Sequence, residues 1–138
     1  MNIYFACSIT GGREFESTYQ EIVAELLRDG HEIPTSHLAQ TEIMENERTL
    51  APCDVYERDV NWIKSCDVLI AEVSVPSHGV GYEIAFALGI GKHVLCLHQK
   101  DKQVSKMITG NLDPALKVIA YSNSVDAVLK ARVFLREL

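Results

Sequence analysis

Asp67-Val68-Leu69-Ile70-Ala71-Glu72-Val73 is apolar without interruption from Val68 to Ala71, where a half-buried strand would alternate apolar with polar. A strand of that kind is covered on both faces, which places it inside a parallel sheet between layers of helices. On its C-terminal side, Ser74–Gly81 contains Pro76, Gly79 and Gly81 and reads as a loop, followed by a short apolar helix over Tyr82–Gly91. His93-Val94-Leu95-Cys96-Leu97 is a further strand, apolar from Val94 to Leu97, and Leu116–Tyr121 is the last. Ser124–Leu138 closes the chain as an amphipathic helix with Val125, Val128, Leu129 and Val133 on one side.

On the N-terminal side, Asp54 can cap a helix running to about Ser65. Residues 34–53, polar with two prolines, form a long excursion, and His31-Glu32-Ile33 before Pro34 is a brief strand. Tyr19, Ile22, Val23, Leu26 and Leu27 recur at helical spacing until Gly30, and Ile3–Cys7 is the first strand. Strands alternating with helices in this way predict an α/β fold, a three-layer doubly wound parallel five-stranded sheet of flavodoxin-like or Rossmann-like type. If the strand order is 2-1-3-4-5, the winding reverses between the first and third strands, and ligands bind beyond their carboxyl ends. The loops leaving those two strands, Ser8–Arg13 and Ser74–Gly81, are the richest in small residues.

The length of 138 residues fits a single domain, 1–138, and 47% hydrophobic with 23% charged residues is ordinary for a globular chain. Nineteen acids against thirteen bases give a net charge of −6, which argues against a nucleic acid polymer as partner. No apolar run approaches the roughly 18 residues that span a bilayer. The start lacks a basic leader and a cleavage site, so no membrane association and a cytoplasmic location are expected. Cys7, Cys53, Cys66 and Cys96 include no C-x-x-C pair and read as reduced core thiols. The histidines lack metal-ligand spacing, so no metal site is expected.

Ser8-Ile9-Thr10-Gly11-Gly12-Arg13 offers two hydroxyls, two glycines and an arginine at a helix start, which suits an oxyanion or simply a tight strand-to-helix turn. Ser77-His78-Gly79-Val80-Gly81 adds a hydroxyl and two flexible glycines on the opposite side. Glu83 shares a helix side with Phe86, Ala87 and Ile90, so its carboxylate faces packing residues. A place in the first helical turn would favour its ionised form, whether it serves chemistry or its own helix start. Asp59 lies between Val55 and Ile63 on an apolar stripe, where an acid is costly unless paired or used; Arg13 or backbone donors could satisfy it. Glu57 and Arg58 read as solvated surface, and Tyr4, Trp62 and Tyr82 as core packing or as ring and hydroxyl contacts to a ligand. Two such carboxylates near one site suggest paired acid chemistry, as in retaining glycoside cleavage with groups roughly 5 Å apart.

Tyr4-Phe5-Ala6-Cys7-Ser8-Ile9-Thr10-Gly11-Gly12-Arg13, Glu57-Arg58-Asp59-Val60-Asn61-Trp62 and Ala71-Glu72-Val73 through Ser77-His78-Gly79-Val80-Gly81-Tyr82-Glu83 occur in order along the chain. Together they resemble the nucleoside 2-deoxyribosyltransferase superfamily, most closely its 2′-deoxynucleoside 5′-phosphate N-hydrolase branch. The resemblance implies that Glu83 attacks the anomeric carbon to give a covalent glycosyl intermediate, that Asp59 protonates or positions the departing base, and that Tyr4 orients the nucleophile. It implies phosphate contacts from Ser8 and Ser77. It also implies a homodimer in which Ser105 reaches the neighbouring subunit's site. The hydrolases of that branch carry an arginine where this chain has Thr10, a loss of about 1.5–3 kcal/mol in phosphate binding that Arg13 could offset.

These readings converge on hydrolysis of the N-glycosidic bond of a (deoxy)nucleoside 5′-monophosphate to free base and sugar 5-phosphate, with no cofactor. The catalytic candidates are Glu83, Asp59 and Tyr4, and the substrate-side candidates are Ser8, Thr10, Gly11, Gly12, Arg13, Ser77, Gly79, Gly81 and Ser105. A deoxyribosyltransferase that passes the sugar to another base, and a noncatalytic nucleotide-sensing domain, are the alternatives.

Overall fold

Four strands, β1 (Ile3–Ala6), β2 (Val68–Glu72), β3 (His93–Gln99) and β4 (Leu116–Tyr121), pair in parallel in that order among the described residues. The computed structural model describes residues 1–9, 12, 14–39 and 49–138. β2 is flanked on both edges, with Tyr4 opposite Leu69 and Ala71 opposite Cys96, and all its residues are buried, as its unbroken apolar run requires. Side chains alternate across the sheet. Ile3, Phe5, Val68, Ile70, Leu95 and Leu97 face one core, while Tyr4, Ala6, Leu69, Ala71, Val94 and Cys96 face the other.

Helices α1 (Glu16–Arg28) and α5 (Ser124–Arg136) cover the first core. Helices α2 (Pro52–Ser65) and α3 (His78–Gly89) cover the second, and the single-turn α4 (Lys106–Thr109) precedes β4. Pro52 opens α2, where its missing N–H costs nothing, and Asn123 caps α5 by accepting from the Asp126 amide at 2.9 Å.

The fifth strand expected at His31-Glu32-Ile33 shrinks to one parallel bridge between Asn2 and Glu32. Pro34 has no N–H to continue a ladder, and the Phe5 amide donates to the Thr35 hydroxyl oxygen at 2.9 Å instead of to a strand carbonyl. The bridge nevertheless lies on the free edge of β1. The chain therefore winds outward from β1 and then back across to β2, which keeps the reversal where the sequence puts it.

Three other expectations change. Helix α3 starts at His78, not Tyr82, because Ser77 accepts from the Val80 amide and caps the helix ahead of its glycines. Gly79 and Gly81 thus lie in a helical turn, not a flexible loop. Helix α5 buries Ala127, Val128, Ala131 and Phe134 and leaves Val125, Leu129 and Val133 exposed, since its two alanines allow close approach to α1. Cys7, Cys66 and Cys96 are buried free thiols, but Cys53, at the start of α2, is exposed. Among the described residues, no helix is long and apolar enough to cross a membrane.

Candidate active site

The alternation of β1 sends Tyr4 into the core shared with Ile63, Leu69, Val80 and Ile84. A phenol buried there needs a partner, and the Tyr4 hydroxyl donates to Glu83 Oε1 at 2.7 Å. Burial and the carboxylates of Glu83 and Asp59 hold the Tyr4 hydroxyl far above the ordinary tyrosine range, so it remains a neutral donor.

Because α3 begins at His78, Glu83 sits in the second helical turn and lacks the N-terminal support expected for its charge. Burial pushes its carboxyl up to about 7. The Tyr4 hydrogen bond opposes that rise, the charge of Asp59 adds to it, and the charge of Arg58 opposes it again. Glu83 and Asp59 therefore share one electrostatic environment, although they come from different helices.

Asp59 lies on α2 with its side chain 17% exposed, and Arg58 Nε donates to its Oδ1 at 2.8 Å. The sequence places Arg58 on a solvated surface. Instead its guanidinium lies 5.0 Å from the centre of the Trp62 ring, one turn along α2, and its side chain is only 22% exposed. His37 meets the same ring edge-on at 5.7 Å. The Arg58–Trp62 spacing of i, i+4 was the available signal for this inward turn. Trp62 is partly buried, whereas Tyr82 is 51% exposed, stacked on Phe86 and edge-on to Tyr56, and is not a core residue.

On the other side of the crevice, Ser8 is fully buried at the end of β1, and its Oγ has no hydrogen-bond partner among the described residues. Gly12 has φ of 130°, and a side chain there would begin 3.7 Å from Val75 Cγ1, which places the two small-residue connections close to one another. Ser77 stands at the mouth of α3, and a Cβ on Gly81 would meet nothing within 4 Å. The candidates Thr10, Gly11 and Arg13 lie outside the described residues.

Ser105 accepts from the Met107 amide at 3.2 Å and caps α4. With Ser77, Gly81, Ile84 and Leu88 it lines a cavity of about 930 Å³ along α3. Tyr4, Asp59 and Glu83 are not among the walls of that cavity. No group of three metal-ligating side chains occurs among the described residues.

Tyr4 thus holds Glu83 by a hydrogen bond, and the charge of Asp59 acts on the same carboxyl from a second helix. Residues 3–127 match the family described as nucleoside 2-deoxyribosyltransferase. The chain is 41% identical over 111 residues to a Methanococcoides burtonii protein that carries the provisional name 2′-deoxynucleoside 5′-phosphate N-hydrolase 1, covering 80% of this chain and 91% of that one. It is also 41% identical over 116 residues to the rat (Rattus norvegicus) 5-hydroxymethyl-dUMP N-hydrolase, covering 81% of this chain and 71% of that one. The structure of the Clostridium botulinum CMP N-glycosidase BcmB superposes with a TM-score of 0.71 at 21% identity, over 96% of this chain and 99% of that chain, a likeness of fold. The chain belongs to the nucleoside 2-deoxyribosyltransferase family.

Proposed function

We propose that this protein hydrolyses the N-glycosidic bond of a nucleoside 5′-monophosphate, releasing the free base and a sugar 5-phosphate. The observation that carries the reading is the buried Tyr4–Glu83 hydrogen bond beside the charge of Asp59. The relatives named as N-hydrolases of nucleotides support it.

In the first step a carboxylate oxygen of Glu83 bonds to the anomeric carbon while the bond to the base nitrogen breaks; Asp59 positions the base, whose departing electron pair takes up a proton from solvent. In the second step Asp59 takes a proton from water, whose oxygen displaces Glu83 and restores its carboxylate, and Asp59 then passes that proton to solvent. A glutamate raised to about 7 is partly ionised at neutral pH, while burial keeps it poorly solvated. Tyr4 holds one oxygen, leaving the other for attack.

The 5′-phosphate is assigned to Ser8, Thr10, Gly11, Gly12, Arg13, Ser77, Gly79 and Gly81. The unpartnered Ser8 Oγ supports that assignment, since a buried hydroxyl without a partner is costly unless a ligand satisfies it. A homodimer in which Ser105 completes the neighbouring site is supported by α3, which exposes Gly81, Tyr82 and Ala85. No cofactor enters these steps. A cytoplasmic location suits the four free thiols.

The family description favours a second reading, base exchange, in which a free base replaces water in the second step. Incubation with a panel of ribo- and deoxynucleoside monophosphates, with and without a competing base, separates the two. Base release that Glu83→Gln abolishes supports the hydrolase. A new nucleotide formed from the competing base supports the transferase, and nucleotides that survive intact exclude both.

A further inference from the structure

Glu72 is the last residue of β2 and carries an acid out of the same buried run that identifies the sheet. Alternation turns it away from Tyr4 and Glu83, toward the α1 and α5 side, where it is 0% exposed. Its carboxylate accepts from the Tyr121 hydroxyl at 2.9 Å, from the Ser74 amide at 3.3 Å to each oxygen, and from the Ser74 hydroxyl. The Tyr19 hydroxyl interacts with the same carboxylate. Ser74 Oγ in turn accepts from the Gln99 amide at 2.7 Å.

One carboxylate therefore ties the β2–α3 connection to the ends of β3 and β4 by hydrogen bonds, with Tyr19 of the first turn of α1 in its electrostatic reach. With no exposed surface, it can touch no substrate. Stability is a weak reason for it, because a buried polar network is often replaceable by apolar side chains of similar volume; what such a network contributes is a defined geometry. The elements it joins carry the two hydroxyl-bearing connections. Helix α1 follows the segment of Ser8 and Gly12, and Ser74 opens the segment that reaches Ser77. Their close approach, Gly12 toward Val75, lies one residue from Ser74.

We propose that Glu72 is a positioning residue that fixes the separation of the Ser8 and Ser77 connections and thereby sets affinity for the 5′-phosphate. This rests on the assignment of a nucleoside 5′-monophosphate to that crevice.

The test compares wild type, Glu72→Gln and Ser74→Ala in steady-state hydrolysis of a nucleoside 5′-monophosphate and of the matching nucleoside, together with calorimetric titration by inorganic phosphate. Glutamine keeps the volume but points an NH2 group at donors. The expected result is a KM for the nucleotide raised about tenfold, with kcat and the KM for the nucleoside within about twofold of wild type. Phosphate affinity falls in parallel, and Ser74→Ala shifts the same quantities in the same direction. Equal losses for nucleotide and nucleoside, or unchanged phosphate affinity, overturn the proposal. Should Glu72→Gln fail to fold, Ser74→Ala decides by the same criteria. A wild type that cleaves no nucleotide refutes the proposed function, whereas the phosphate titrations still decide the role of Glu72; a wild type that binds no phosphate overturns it.

Discussion

The hydroxyl of Tyr4 and the carboxylate of Glu83, 79 positions apart in the chain, meet in a 2.7 Å hydrogen bond that links the first strand to helix α3. Because burial keeps the phenol neutral, the bond both orients the carboxylate and favours its ionised form. Tyr4→Phe removes the donor while keeping the ring. A hydrogen bond to a charged group is worth about 1.5–3 kcal/mol, so kcat/KM is expected to fall about ten- to a hundredfold. Steady-state rates on the preferred nucleotide check this, and a fall in kcat with KM unchanged would locate the bond's benefit in the transition state.

The pH profile reports the same carboxylate. With Glu83 raised to about 7 and needed as its anion, kcat/KM is expected to rise with pH through an acid limb near neutrality. The neighbouring charges make opposite contributions, so the limb should move in opposite directions in two variants. Asp59→Asn removes a charge that raises Glu83 and shifts the limb to lower pH; Arg58→Gln removes one that lowers it and shifts the limb to higher pH. Profiles of residual activity in both variants are the check, and a limb that stays in place in both would assign it to another group.

Stability should carry the matching signature. The carboxyl of Glu83 is raised from 4.5 to about 7 in the folded protein, so between those values the native state holds a proton that the unfolded chain has released. Unfolding free energy then falls as pH rises through that window, by roughly 1–3 kcal/mol. Glu83→Gln removes this contribution, and its denaturation midpoint is expected to exceed that of wild type at pH 8 but not at pH 4. Urea titrations at the two pH values, read at constant m, test it.

Much of the fold and of the candidate site's arrangement was legible from spacing, and the exceptions have local causes. The run Val68–Ala71 marks the buried centre of the sheet because burial on both faces leaves no polar alternation to confuse it. Glu83 and Asp59 stand out because each interrupts an apolar stripe. Arg58 does not, since the pull of the Trp62 ring on its guanidinium is invisible to a scale that scores arginine as surface. The start of α3 is hidden for a related reason: Gly79 and Gly81 lower helix propensity, but the Ser77 cap and the packing of Val80 and Ile84 outweigh them. The exposed stripe of α5 is misread because alanines, not the larger aliphatic residues, decide which face approaches α1.

Ser105 tests the proposed dimer, because within one chain it lines a cavity whose walls do not include Glu83 or Asp59. If it completes the neighbouring site, Ser105→Ala raises KM for the nucleotide about tenfold. Co-expression with the inactive Glu83→Gln variant then distinguishes shared from separate sites. In a mixed dimer with shared sites, one crevice combines Glu83 from the Ser105→Ala subunit with Ser105 from the Glu83→Gln subunit and is fully wild type. The other carries both defects. At equal expression about half of the dimers are mixed, so about a quarter of all crevices are restored, and activity at low nucleotide concentration should reach about a quarter of wild type or slightly more. If Ser105 serves its own subunit, no crevice is restored and the mixture shows only half the activity of Ser105→Ala alone.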